Sequence, residues 1–529
     1  SFAKQEKFFD IVTYTGTGSS QNISHNLNTT PGMVIVKRTD STADWYVYHR
    51  NGGDYASLNG AFAYLNDTDQ FRTGGGTPVF VDAGMTSTTF GIGTDGGINN
   101  NGGSYVAYLF GHNDAEYGEN SDEALIYCGK YTGTGSAGLN VDLGFEPQWV
   151  MIKRANASDD WVMYDMMRGM PVGGDSAELT ANGSTAENGY FGSSQPDINP
   201  YASGFTLQGT SSPYNNAAST YIYMAIRRPN KPASEFAATD VFGVANATTN
   251  APLFVSGFPV DGGFYHQTTS TQALYVGSRL QGTKYMLSYS TAAEVTNNDH
   301  KWDFMDGWYN ASLASTEYVS YMFRRAKGLF DIVAYVGNGS ARTLTHNLGV
   351  VPEFMIAKSR TESQPWVTYD AANGATKYAR IDSQNAVATY SGIWNDTAPT
   401  SSVFSTGGDA YINKNGQNYI IYLFATVTGI SKVGSYTGTG SDLNVDCGFS
   451  AGVRFVFIKR TDSTGDWYVY DSVRGIVAGN DPYFLLNSGA VDVTNTDYID
   501  PLSSGFTITS SAPAGLNASS GTYIFLAIA

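Results

Sequence analysis

The sequence is short of charge. Asp, Glu, Lys and Arg make up 15% of its 529 residues, against an average near ~25%. The charge present leans one way, with 47 acidic against 30 basic residues and a net charge of -17. No basic stretch exists to neutralise phosphates, so nucleic acid is not an expected partner. Two cysteines, Cys128 and Cys447, are too few for a disulfide framework. With only six histidines in the chain, no Cys/His cluster is available for zinc. No apolar run reaches the ~18 residues of a membrane-spanning helix, so membrane insertion is not expected. The segment from Ser1 to Lys7 lacks an apolar signal region. A removed signal, or assembly into a virion released by lysis, would carry such a chain outside the cell. Helical periodicity is missing too, since no stretch of ~12 residues repeats convincingly every 3.6.

What the sequence has is glycine and aromatics: 60 Gly, 36 Tyr and 28 Phe, with 42% hydrophobic residues. That is too apolar for a disordered tail. Abundant Gly, Ser, Thr, Asn and Tyr instead suit an all-β, turn-rich chain.

Internal repeats organise it. The phrase Tyr-x-Gly-x-Gly-Ser begins at Tyr14, Tyr131, Tyr335 and Tyr436. A lysine follows at near-constant spacing (Lys37, Lys153, Lys358, Lys459), then a tryptophan (Trp45, Trp161, Trp366, Trp467). Five closing segments match one another: Tyr105 to Phe110, Tyr221 to Ile226, Tyr318 to Phe323, Tyr419 to Phe424 and Tyr523 to Ile528. Tandem duplication is the only economical source of such text. The expected domains are 8–118, 124–230, 236–327, 329–427 and 431–529, the third having lost its glycine opening. Repeats one and four share His-Asn-Leu, at His25 and His346. Repeats two and five share Asp-x-x-Arg-Gly, at Asp165 and Asp471, and Val-Asp-x-Gly-Phe. In that last motif Cys447 takes the place of Leu143, so it reads as a buried apolar side chain.

Period-two alternation at Met33 to Val36 and Trp45 to Tyr48 predicts strands, with turns at the intervening Asp and Ser. Short strands and regular turns over ~100 residues predict a β-sandwich for each repeat. The expected architecture is five tandem sandwiches of the jelly-roll, concanavalin/laminin-G-like kind, with an immunoglobulin-like topology as the alternative. The closing segment, mostly apolar, is the expected central strand.

Chemistry-bearing patterns are sparse. Glycoside hydrolysis needs facing carboxylates, and no Glu-containing motif recurs. His25 and His346 precede turns and read as turn caps. Asp40, Asp44, Asp462 and Asp466, with Asp159 and Asp160, are weak Ca²⁺ candidates because carboxylates cluster in their loops. EF-hand spacing is missing, and Asx-turns explain the same residues. Gly16-Thr17-Gly18 lacks the third glycine and the lysine of a nucleotide loop. The Trp of each Asp-Trp motif reads as module core. The divergent third repeat is where a ligand platform is expected, from loop aromatics Tyr265, His266, Trp302, Trp308 and Tyr309. No cofactor and no catalysis are expected.

The strings from Tyr321 to Ser340, His346 to Arg360, Phe457 to Ser488 and Asp497 to Ala529 resemble repeat proteins of marine tailed bacteriophages. Those proteins are virion or tail-associated, and the resemblance covers nearly the whole chain. It implies a virion protein, in a tail fibre, spike or other adsorption device, that binds a host surface glycan or protein. It also implies partners among other virion proteins and self-association into a trimer or ring. A head fibre or capsid decoration protein is the second expectation. A secreted bacterial lectin-like adhesin or polysaccharide-active protein is the third. Family members carry further segments before these repeats, so a C-terminal portion or a short member is implied.

Overall fold

The computed structural model describes residues 3–53, 60–72, 78–113, 116–118, 121, 123–187, 198–269, 271, 274–311, 313 and 317–529. Among them the chain is all-β, with every named strand pairing antiparallel. Its α-helices are single turns of four residues.

The first repeat shows why. Its strands are β1 (Phe9–Thr15), β2 (Gln21–Ser24), β3 (Met33–Arg38), β4 (Trp45–His49), β5 (Ala63–Tyr64), β6 (Phe80–Val81), β7 (Thr89–Ile92) and β8 (Ser104–Phe110). They form a large sheet in the order β1-β8-β3-β4-β5 and a small one in the order β2-β7-β6. Alternate side chains of the large sheet (Val34, Val36, Tyr46, Tyr48, Ala107, Leu109) pack against Ile23, Phe80, Phe90 and Ile92 of the small sheet. Side chains of the opposite parity, among them Met33, Ile35, Val47 and Phe110, enter a second core on the outer face. The large sheet thus sends apolar side chains into a core on each face, which is why β3 and β8 read as nearly continuous apolar runs.

The same order recurs. In each repeat the first strand pairs with the last, the last with the third, and the third with the fourth. The second strand lies beside the penultimate one in the small sheet. The third repeat keeps this order despite its lost glycine opening: Phe242–Asn246, Tyr318–Phe323, Gly262–Gln267 and Tyr275–Ser278 lie side by side.

The chain divides into two compact units. Unit 1 is Ser1–Met170 with Gly174–Pro229, and unit 2 is Pro171–Gly173 with Asn230–Ala529. Unit 1 contains the sheet pairs of the first two repeats, joined by one core in which Phe9, Met33 and Ile35 meet Cys128, Met151, Trp161 and Met224. In unit 2 three sheet pairs close on one another. Ring contacts run from the third pair to the fourth (Phe323–Phe424, 5.6 Å), from the fourth to the fifth (Phe354–Phe457, 5.2 Å) and from the fifth back to the third (Phe242–Phe455, 5.2 Å). A cavity of about 70 Å³ remains among these side chains, lined without polar surface. A pocket of that chemistry stays dry.

The Asp-Trp tryptophans correct the sequence expectation. They do not fill their own sandwich. Alternation puts Tyr468 and Tyr470 inside the fifth repeat and sends Trp467, fully buried, to the outer face against the neighbouring pair.

Candidate functional site

The glycine opening recurs four times, and its chemistry is internal. The hydroxyl of Tyr436 donates to the Leu516 carbonyl at 2.8 Å. The closing Tyr523 stacks on Tyr436 at 4.8 Å, and its hydroxyl accepts from the Ala518 amide at 2.7 Å. Between these two residues stands Asn517. Its Oδ1 accepts from Thr439 N (2.9 Å) and Gly440 N (3.2 Å), and its Nδ2 donates to the Ser441 (2.9 Å) and Thr509 (3.1 Å) carbonyls. Asn99, Asn215 and Asn413 pin the corresponding turns in the same way. The first glycine must be glycine, because a Cβ at Gly438 would lie 2.4 Å from the Ala518 carbonyl oxygen. The second sits at φ +73°, where side chains are strained. The sequence held a signal for these asparagines: each precedes its closing tyrosine (Tyr105, Tyr221, Tyr419, Tyr523) by the same spacing.

The repeat-equivalent lysines and tryptophans of repeats two, four and five serve the junctions between sheet pairs. The Trp161 indole donates to the Tyr64 carbonyl, that of Trp366 to Leu287 and that of Trp467 to Arg380, each at 2.9 Å. Lys153 Nζ reaches the Thr68 carbonyl (2.7 Å), Lys358 that of Thr291 (3.0 Å) and Lys459 that of Gln384 (3.0 Å). These ammonium groups are enclosed by carbonyls in an apolar setting, and burial pulls each down to about 8.

Unit 2 also holds a buried polar cluster built on the Asp-x-x-Arg-Gly motif. Arg474 Nε donates to Asp471 Oδ2 at 2.5 Å and its Nη1 to Asp492 Oδ2 at 2.9 Å. His266 Nε2 lies 2.8 Å from Asp492 Oδ1, and the Tyr321 hydroxyl donates to Asp471 Oδ2 at 2.7 Å. All five side chains are buried. Burial lowers the His266 pKa, against the opposing pull of Asp492. The residue types are those of acid–base chemistry, yet among the described residues their side chains are packed away from solvent. A general base has to reach a substrate proton. What the cluster does is tie the third sheet pair to the fifth. The equivalent pair in repeat two, Arg168 on Asp165 at 2.5 Å, is partly exposed.

The expected ligand platform is corrected. Tyr265 and His266 lie on the strand Gly262–Gln267 and Trp308 and Tyr309 on the strand Gly307–Asn310, not in loops. Tyr265, His266 and Trp308 are 3%, 4% and 2% exposed. Trp308 stacks on Phe254 at 4.8 Å and on Trp302 at 5.3 Å. The Tyr265 hydroxyl meets His300 Nε2 at 2.8 Å. These aromatics fill the third repeat because it has no tyrosine–glycine clasp to close it. Trp302 is buried with them, and Tyr309 is half-buried.

The candidate Ca²⁺ ligands are engaged otherwise. Asp40 pairs with Arg38 at 2.7 Å and Asp462 with Arg460 at 3.0 Å. Asp44 accepts from Asn66 (2.9 Å), and Asp466 from Gln384 and Asn487 (2.7 Å each). Among the described residues no group of three or more His, Cys, Asp or Glu converges as a metal site would. The turn-cap reading of the histidines is what the geometry shows: His25 Nδ1 accepts from Leu27 N at 3.1 Å and His346 Nδ1 from Leu348 N at 3.2 Å. Both cysteines are buried and free, and burial pushes both thiols up to about 12.

Among the described residues no helix is long and apolar enough to cross a membrane. No curated protein matches the chain. One family model, described as a domain of unknown function (DUF7483), matches residues 2–229 and 290–529. The interval it omits falls mostly in the third repeat, the one without the tyrosine–glycine clasp. A match over well more than half of the chain places this protein in the DUF7483 family.

Proposed function

We propose that the chain is a bacteriophage virion protein, part of a tail fibre, spike or other adsorption device, that holds host-surface contacts on a scaffold of tandem sandwiches. In this reading the scaffold is five jelly-roll modules, an assignment supported by the nesting of first with last and second with penultimate strand in every repeat. The observation that carries the functional reading is where the repeated residues go. The tyrosines, asparagines and lysines of the motifs, and the tryptophans of repeats two, four and five, bind main chain within or between sheet pairs. The duplicated text therefore encodes assembly, and it leaves the variable loops for contact with a partner. The role is structural and adhesive rather than catalytic. Repeated weak contacts in one particle gain avidity without any strong single site. A net charge of -17 disfavours anionic surfaces, so neutral glycan or protein on the host is the partner.

Immunogold electron microscopy of phage particles whose genome encodes this chain tests the reading. Label at the tail is the expected result. Label spread evenly over heads would replace the adsorption role by capsid decoration, and particles without label would overturn the virion assignment.

A further inference from the structure

In unit 2 every outer sheet face is covered. In unit 1, among the described residues, part of the first repeat's outer face is not. The first and fourth repeats align residue for residue along their opening strands (Phe9-Asp10-Ile11 and Phe330-Asp331-Ile332), which makes the contrast direct. Ile332, Trp366, Ile381 and Tyr422 are 1%, 2%, 3% and 5% exposed, because the third sheet pair lies on them. Their counterparts Ile11, Trp45, Leu65 and Tyr108 are only partly buried, and with Ile35 and Phe110 they line an open apolar groove of about 330 Å³. The hydrogen bonds show the same vacancy. Trp366 Nε1 and Lys358 Nζ each donate to a carbonyl of the third pair, and the Tyr422 hydroxyl donates to Gln281 Oε1 at 3.0 Å. Among the described residues Lys37 Nζ, by contrast, reaches only the Ala43 carbonyl of its own repeat. Among the described residues the Trp45 indole N–H has no acceptor.

Unit 1 also carries the complementary half of such a junction. At two of these junctions the carbonyl that receives the indole belongs to the residue just before the one whose amide returns to that repeat's own tryptophan. Tyr64 precedes Leu65, and Arg380 precedes Ile381. In the second repeat the same register identifies Thr180, since Ala181 N donates to the Trp161 carbonyl and Thr180 pairs with Val162. Among the described residues no indole reaches Thr180, and its buried Oγ1 has no hydrogen-bond partner. A donor face on the first repeat and an acceptor edge on the second stand unfilled in one unit.

We infer that unit 1 is a self-association site, in which the Trp45 face of one chain takes the Thr180 edge of a second copy. The junction repeats the one already built between the fourth repeat and its neighbour: apolar side chains across the middle, with an indole and a lysine each donating to a carbonyl at the rim. It is independent of the host-surface reading, because a protein of any function can associate this way. Two copies of a chain of net charge -17 repel, whereas the surfaces that meet are apolar and hydrogen-bonding. Added salt therefore screens the repulsion and tightens the dimer.

Sedimentation velocity of the full chain across the micromolar range tests this. The expected result is concentration-dependent self-association, dimers first and face-to-edge chains or rings above them, favoured by salt. Ile11→Glu on the face or Ala181→Glu on the edge weakens it at least tenfold, and near-ultraviolet circular dichroism reports whether each variant is folded. Should Ile11→Glu misfold, Trp45→Gln removes the donor more gently and is expected to weaken the dimer in the same direction. A mixture of the face variant with the edge variant regains association, because one intact face then meets one intact edge. A wild-type chain that stays monomeric overturns the proposal and leaves the groove to a different polypeptide. Dimers that survive all of these folded variants, or a mixture no better than either variant alone, overturn it as well.

Discussion

The indole N–H of Trp467 donates to the Arg380 carbonyl at 2.9 Å, from the fifth repeat to the fourth, and nothing of that tryptophan is exposed. Its sequence equivalent Trp45 has the same neighbours along the chain and stands partly exposed.

Trp467→Ala therefore leaves a large cavity in unit 2 and costs about 3–5 kcal/mol. Trp45→Ala removes a side chain already partly in water and costs about 1 kcal/mol. Denaturant unfolding of the two variants checks the difference, with equal shifts of midpoint arguing against it.

Asn517 serves four main-chain groups at once. Asn517→Ala strands buried donors and acceptors and is expected to cost at least about 2 kcal/mol. Asn517→Asp keeps the acceptor and loses both donors, so it does not rescue. Hydrogen exchange at Thr439 and Gly440 should accelerate in both variants.

Arg474 neutralises Asp471 and Asp492 inside unit 2. Arg474→Met leaves two buried carboxylates without their cation, at about 3–5 kcal/mol. Adding Asp492→Asn should recover part of that loss, as a double-mutant cycle would measure.

His300 is buried among Tyr265, Tyr285, Trp302 and Trp308, and burial lowers its pKa from 6.5 to about 4. The unfolded chain then binds the proton more readily than the folded one. Stability is complete above pH 6.5 and falls as the pH drops through that value toward about 4, by about 3 kcal/mol. Urea midpoints between neutral pH and pH 4 measure it, and His300→Gln should flatten the profile.

The buried lysines act at the other end of the pH scale. Lys153, Lys358 and Lys459 fall from 10.5 to about 8. The folded state releases its protons first, so stability climbs as pH rises from about 8 toward 10.5. Lys459→Met should remove part of that slope, measured up to about pH 9.5, below the ordinary ionisation of tyrosine.

Much of this was legible beforehand. The alternation at Met33 to Val36 marks a strand, and the five closing segments mark an interior strand of each large sheet, second from the edge rather than at its centre. The spacing of Asn517 before Tyr523, repeated in three other places, was visible too, but a polar residue in a turn has many readings until its four partners are located. The third repeat misled for a related reason. Trp308 and Tyr309 beside Gly307 and Asn310 have the composition of a turn, while their pairing with Phe254 and Val255 and with His300 and Lys301 makes them strand.

By itself the sequence determined an all-β chain, its repeats, and the low charge and abundant glycine that go with turns and two-sided sheets, because period and turn chemistry are local. Only the tertiary structure decided which face of each sheet meets a neighbour. Trp45 and Trp467 share almost the same words around them. One is buried and the other partly open, since burial depends on whether another sheet pair arrives, and that is a property of distant chain that no local pattern records.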